Sequence, residues 1–138
     1  MPAECIFCAI VSGAAAADVV LRTPETTAFL DRRPLFFGHV LVVPNAHTET
    51  LVELPEPQIA RLFFAVQQIA RAIERGLDAD GTLVAVNNRV SQSVPHLHVH
   101  VVPRRRKDGL RGFFWPRHKY ASGEERADYA RRIAAALD

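Results

Sequence analysis

The chain is short of cysteine, of long apolar runs and of excess charge of either sign, and each shortage removes a class of protein. Its two cysteines, Cys5 and Cys8, cannot staple a secreted scaffold. Spaced as C-x-x-C, they point to metal or redox chemistry in a reducing compartment. A redox pair of the thioredoxin type needs a strand before it, and nothing ahead of Cys5 is long enough to be one. No apolar stretch reaches the roughly 18 to 20 residues a bilayer requires, because Asp18, Asp31 and Pro44 interrupt the longest candidates. The first residues carry Glu4 and lack a basic flank followed by an apolar core, so the expectation is a cytoplasmic chain with no membrane contact. Lys plus Arg numbers 17 against 15 for Asp plus Glu, and a net charge of +2 gives no ground for nucleic-acid binding.

With 49% hydrophobic and 23% charged residues, the composition is that of an ordinary globular protein, which excludes disordered and collagen-like classes. A length of 138 residues suits one domain, 1–138, able to bury about two-thirds of its unfolded surface.

Residues 19–22 and 26–31 are strand-like runs on either side of Pro24-Glu25, forming a hairpin. Residues 38–43, β-branched and mostly apolar, form a strand buried on both faces and ended by Pro44. From Pro55 to Gly76 the residues Ile59, Leu62, Phe63, Val66, Ile69, Ala70 and Ile73 recur at helical spacing, bounded by prolines and by Gly76. Residues 81–88 and 94–102 read as two further strands. Ser122-x-x-Glu125 has the form of a capping box, which predicts a helix over 123–137. The class is therefore α+β: an antiparallel sheet packed against a long helix, with a C-terminal helix.

The segment that carries chemistry is Pro95-His96-Leu97-His98-Val99-His100-Val101-Val102. On a strand, alternate side chains share a face, so three imidazoles line one side at roughly 6.6 Å intervals. That spacing can line a pocket. A catalytic zinc held by three histidines is one use of it. A closed site of Cys5, Cys8, His47 and one strand histidine is another, and it leaves no open position for a water. The plain alternative makes Cys5 and Cys8 small packing residues and His47 a surface residue.

His96-x-His98-x-His100-Val101-Val102 resembles the signature of the histidine-triad (HIT) superfamily of nucleotide hydrolases and transferases. Cys5-Ile6-Phe7-Cys8, Phe29-Leu30-Asp31, Gly38-His39-Val40-Leu41-Val42-Val43-Pro44 with His47, Val86-Asn87-Asn88 and Gln92-Ser93-Val94 stand in that family's order. The likeness runs from about residue 4 to 104, leaving 105–138 as an extension, and is to the Hint-like branch of bacterial HIT proteins.

The resemblance implies that His98 attacks an α-phosphorus and forms a nucleotidyl-histidine intermediate that water hydrolyses. A neutral imidazole with an ordinary pKa near 6.5 suits that role, provided an acceptor holds its other N–H. By the same likeness His100 contacts the phosphate or supports its neighbour, and His96 completes a structural zinc site with Cys5, Cys8 and His47. Asn87, Gln92 and Ser93 donate to the phosphate oxygens, and Ser93 also assists the leaving group. Asp31 accepts the ribose hydroxyls. Ile6, Phe7, Ile10 and Phe29 form the base pocket, and His39 lies next to the active site.

Two features depart from the family pattern. Ser91 stands where many relatives have glycine before Gln-Ser-Val, and Pro95 precedes the trio. The run Arg104-Arg105-Arg106-Lys107 is either a solvated loop or a means of attracting a polyphosphate. Gly112-Phe113-Phe114-Trp115-Pro116 is core or dimer interface, or else a cover for substrate. The expected activity releases AMP from purine nucleoside phosphoramidates or related adenylylated compounds, in a homodimer. The alternatives are a dinucleoside polyphosphate hydrolase and a nucleotide sensor.

Overall fold

A computed structural model describes residues 4–110 and 117–138. The aromatic cluster at 112–116 lies outside the described residues. The chain divides between Arg106 and Lys107 into two compact units.

In the first unit the β-branched runs form β1 (Val19–Arg22), β2 (Thr26–Leu30), β3 (Val40–Pro44), β4 (Gly81–Ala85) and β5 (Val99–Arg104). They pair antiparallel in the order β1-β2-β3-β5-β4. Two helices accompany them, α1 (Ile6–Ser12) and α2 (Glu56–Gly76).

Alternation along the strands divides the apolar residues between two clusters. Ala28, Val40, Val42, Val99 and Val101 meet Leu62, Val66, Ile69 and Ile73 of α2, as its spacing predicted, together with Ala65, which was not foreseen, while Ile59 is exposed. Phe29, Leu41 and Val43 point the other way, to Phe7 and Ile10 of α1. The register that pairs Leu41 with His100 and Val42 with Val99 sets His100 on the α1 side of the sheet.

The elements differ from expectation at three places. α1 carries no sequence signal because seven residues are too few to show a helical period. Cys5 caps it through a sulfur that accepts the Cys8 N–H at 3.4 Å, and Gly13 ends it at φ 85°. The strand expected over 94–102 begins only at Val99. Ahead of it His96 N–H donates to Val94 O at 2.8 Å, and Leu97 N–H leaves the sheet for Thr48 O at 2.7 Å. Pro95 has no N–H to give a ladder. His96, in a bend, and His98 thus lie ahead of β5, and only His100 lies within it. For the same reason β4 ends at Ala85, opposite His100, short of the expected 88.

The second unit contains α3 (Gly123–Ala135), two residues shorter than expected at its end. Ser122 Oγ accepts the Glu125 N–H at 3.1 Å, while Glu125 Oε1 accepts the Ala121 N–H at 3.0 Å. This is the reciprocal cap foreseen, reaching one residue further back.

Candidate active site

On the α1 side of the sheet lies a cavity of about 590 Å³. Ile6, Phe7 and Ile10 form one wall, Phe29 and Leu41 form the floor, and Asp31, Ser93, His98 and His100 supply its polar groups. Ala16, Ala17, Asp18, Arg32, Arg33 and Val94 also line it and were not foreseen. Only Arg32 and Arg33 had a signal, their position directly after Asp31.

The hydrogen bonds fix which nitrogen of each ring carries the proton. His98 Nδ1 lies 2.7 Å from the carbonyl oxygen of His96. A carbonyl only accepts, so Nδ1 holds the proton and Nε2 keeps its lone pair. The required acceptor is thus the trio's own backbone. Phe7 packs edge-on against this ring, with centroids 5.1 Å apart. At His39, Nδ1 accepts the Leu35 N–H at 3.1 Å, so Nε2 is the protonated atom and donates to His100 Nδ1 at 3.0 Å. His100 in turn carries its proton on Nε2, a donor for a bound anion. His39 is buried, lines no part of the cavity, and lies 3.7 Å from Asp31 Oδ2. Burial, with the neighbouring His98 and His39, pulls the His100 pKa down to about 4 against the opposing pull of Asp31. Burial lowers that of His39 too. Both rings are therefore neutral at pH 7, as these bonds require.

The loop before the trio is held by its own side chains. Gln92 donates from Nε2 to Glu49 O at 2.6 Å and accepts the Arg89 N–H at 2.8 Å. Asn87 Nδ2 donates to Ser91 O at 3.3 Å. Neither lines the cavity; Ser93 does. Ser91 sits at φ 62°, the left-handed conformation that explains a glycine preference there. None of Arg104, Arg105 and Arg106 lines the cavity, and the Arg105 guanidinium donates to Leu77 O at 2.7 Å.

Beside the cavity, Cys5, Cys8, His47 and His96 bring their donor atoms within 4.8 Å of one another. His96 Nδ1 lies 3.4 Å from Cys5 Sγ and 3.5 Å from Cys8 Sγ, and His47 Nδ1 lies 3.3 Å from Cys8 Sγ. Zinc bonds of about 2.3 Å to sulfur and 2.0–2.1 Å to nitrogen, at a tetrahedral angle, put sulfur and nitrogen roughly 3.5 Å apart. The four residues fit such an ion. His96 Nε2 donates to Pro44 O at 2.9 Å, the outer bond that aims Nδ1 at the sulfurs. Burial, reinforced by the hydrogen bond and charge of Cys5, pushes the Cys8 thiol up to about 11. A cation among the sulfurs reverses that preference. A second group, Asp31, His39 and His100, is also close-set. The His39–His100 hydrogen bond already engages the facing nitrogens there.

Comparison with known proteins agrees with this geometry. Residues 12–107 match the HIT domain family. An uncharacterized HIT-like protein of Saccharolobus solfataricus is 41% identical over 101 residues, covering 72% of this chain and 73% of that one. The crystal structure of a HIT family member from Bacillus subtilis superposes with a TM-score of 0.89 at 34% identity, over 98% of both chains. A zinc-bound histidine triad family protein from Mycobacterium smegmatis superposes with a TM-score of 0.74 at 38% identity, over 96% of this chain and 97% of that one. With its trio of histidines, its sheet and most of its length accounted for in this way, the chain belongs to the HIT domain family.

Proposed function

We propose that the protein is a nucleotide hydrolase or transferase that cleaves at the α-phosphate of purine nucleoside phosphoramidates or related adenylylated compounds and releases AMP. The observation that carries this reading is the bond from His98 Nδ1 to the His96 carbonyl, which leaves Nε2 as the free atom of a ring lining the cavity. In the first step Nε2 bonds to the α-phosphorus as the bond to the leaving group breaks, and the leaving group takes a proton. In the second, water attacks the same phosphorus and gives up a proton that restores the Ser93 hydroxyl, the P–N bond breaks, and AMP departs from a regenerated neutral ring.

The other groups serve those two steps. His100 Nε2–H and the Ser93 hydroxyl donate to phosphate oxygens as charge develops on them, and Ser93, which lines the same cavity, protonates the leaving atom. Asp31 accepts the ribose hydroxyls, and the wall from α1 with Phe29 receives the base. His39 holds the His100 tautomer. Asn87 and Gln92 hold the loop that presents Ser93.

The same reading gives the cysteine–histidine cluster a structural zinc ion held by Cys5, Cys8, His47 and His96, which would tie α1 to the sheet. It also gives the protein a homodimeric state in the cytoplasm. β4 supports the dimer, being an edge strand with Val84 exposed, an arrangement that a second copy can cover. No helix among the described residues is long and apolar enough to cross a membrane.

Relatives with named activities support a nucleotide substrate and differ in what leaves it. They are an adenosine 5'-monophosphoramidase of Candida albicans, 29% identical over 122 residues, and an adenylylsulfatase of Arabidopsis thaliana, 32% identical over 109. A bis(5'-nucleosyl)-tetraphosphatase of Schizosaccharomyces pombe is 32% identical over 110. The chain spans 55% of the second and 59% of the third. Val102-Pro103-Arg104 resembles the dinucleoside polyphosphate hydrolases and makes the last activity the second reading, against which the Cys5–Cys8 pair counts. A panel of adenosine phosphoramidate with dinucleoside tri- and tetraphosphates decides: faster AMP release from the phosphoramidate supports the first reading, and a preference for dinucleotides replaces it with the second. Tight AMP binding without turnover of any of them would make the protein a sensor.

A further inference from the structure

His96 belongs to two sites at once. Its ring faces Cys5 and Cys8, with Nδ1 at 3.4 and 3.5 Å from the two sulfurs, while its main-chain carbonyl takes the Nδ1 proton of His98 at 2.7 Å. Helix α1 makes the same connection a second time. Cys5 caps it and Cys8 stands in its first turn, and between them Phe7 meets His98 and Phe29 edge-on, with centroids 5.1 and 5.3 Å apart. Two of the three pieces of chain that close the cluster therefore also shape the cavity. Neither is paired into the sheet. α1 has seven residues, short of what a helix needs to persist alone, and the 96–98 segment precedes β5.

Resting on the zinc and nucleotide sites proposed above, we infer that His96 and, through helix α1, Phe7 are positioning residues that couple metal occupancy to nucleotide binding. Metal in the cluster fixes α1 and the 96–98 backbone, and AMP needs both fixed. Whichever binds first bears the cost of ordering them, and the second binds more tightly for it. Linkage makes the effect reciprocal: zinc raises the affinity for AMP and AMP raises the affinity for zinc by one and the same factor. A factor of about ten is expected, within the usual range for coupled sites.

The experiment uses the full chain. AMP binding is measured by calorimetry on zinc-loaded and metal-free protein, and zinc affinity by competition with a chelating dye, with and without saturating AMP. Both ratios should be near ten and equal. Phe7→Leu keeps all four metal ligands but removes the aromatic edge against His98, so its ratio should fall clearly below that of the unaltered chain, whatever its own AMP affinity. Equal AMP affinity in the two forms overturns the inference and leaves both sites standing. A Phe7→Leu ratio as large as that of the unaltered chain also overturns it, because metal would then act only by keeping the chain folded. Failure to take up zinc, or failure to bind AMP in either form, overturns the underlying site and the inference with it.

Discussion

An imidazole becomes a directed nucleophile when something fixes its other nitrogen, and at His98 that partner is a backbone carbonyl two residues away. The carbonyl survives any side-chain change at His96, so His98 itself is the informative residue. His98→Ala is expected to lower turnover by at least about 10³-fold, while AMP still binds within a few-fold of its original affinity by calorimetry. Near-normal rates would remove His98 from the mechanism. That His98 is the nucleophile of the trio is what this variant tests; the trio itself was legible in the sequence because it stands in one order with the Cys-x-x-Cys, Asp31 and Ser93 context. The tautomer relay from Leu35 through His39 to His100 was not, since it depends on two strands meeting in register.

That relay has a pH signature. His39 and His100 titrate below their ordinary 6.5 in the folded chain, His100 at about 4, whereas the unfolded chain takes up those protons near 6.5. The unfolded state therefore binds more protons between about pH 6.5 and 4. Stability is complete above that window and falls as pH drops through it. Urea midpoints measured from pH 7.5 to 5 should decline, and less steeply in His100→Gln; a midpoint that rises on acidification contradicts the assignment. Nearby, Ser91 holds a left-handed φ of 62°, so Ser91→Gly is expected to stabilise the chain by up to about 1 kcal/mol in urea unfolding.

Among the elements, α2 was readable because its apolar face repeats over 21 residues, and the cluster beneath it holds most of the residues foreseen, with Ala65 in place of the exposed Ile59. Leu62 is 1% exposed at the centre of that cluster, and Leu62→Ala should cost about 2–5 kcal/mol in denaturant unfolding. α1 was not readable, since capping by a cysteine sulfur and a length of seven residues leave no pattern. The late start of β5 was hidden for another reason: the residues 94–98 have strand composition, and their hydrogen bonds go to Val94 and Thr48 instead of a ladder. The turn into β3 shows the reverse, a single glycine with a definite cause. Gly38 has φ 98°, and a Cβ there would overlap Leu77 Cδ1 and come within 3.2 Å of Pro103 Cγ. Gly38→Ala should lose roughly 1–3 kcal/mol by the same assay.

For the molecule as a whole, the sheet keeps stability and chemistry on opposite faces. Val99 and Val101 pack on α2, while His98 and His100 face the cavity. The α+β class followed from the order of strand-like and helical runs, and the partnership between the first residues and the sheet followed from the cysteine–histidine set, although it runs through side chains 91 positions apart. One zinc per chain should appear by elemental analysis of protein prepared without chelator. Its removal should lower the melting temperature, as loss of any ligand of the native state does. Absence of zinc would return Cys5 and Cys8 to the role of packing residues.

The central claim is a covalent bond between His98 and a nucleotide. Mass spectrometry of the protein quenched during turnover of adenosine phosphoramidate, followed by peptide mapping, tests it most directly. The account predicts one adenylyl group per chain, located on His98 and absent from His98→Ala. An adduct on His96 or His100, or steady AMP release with no adduct at any time, would contradict it.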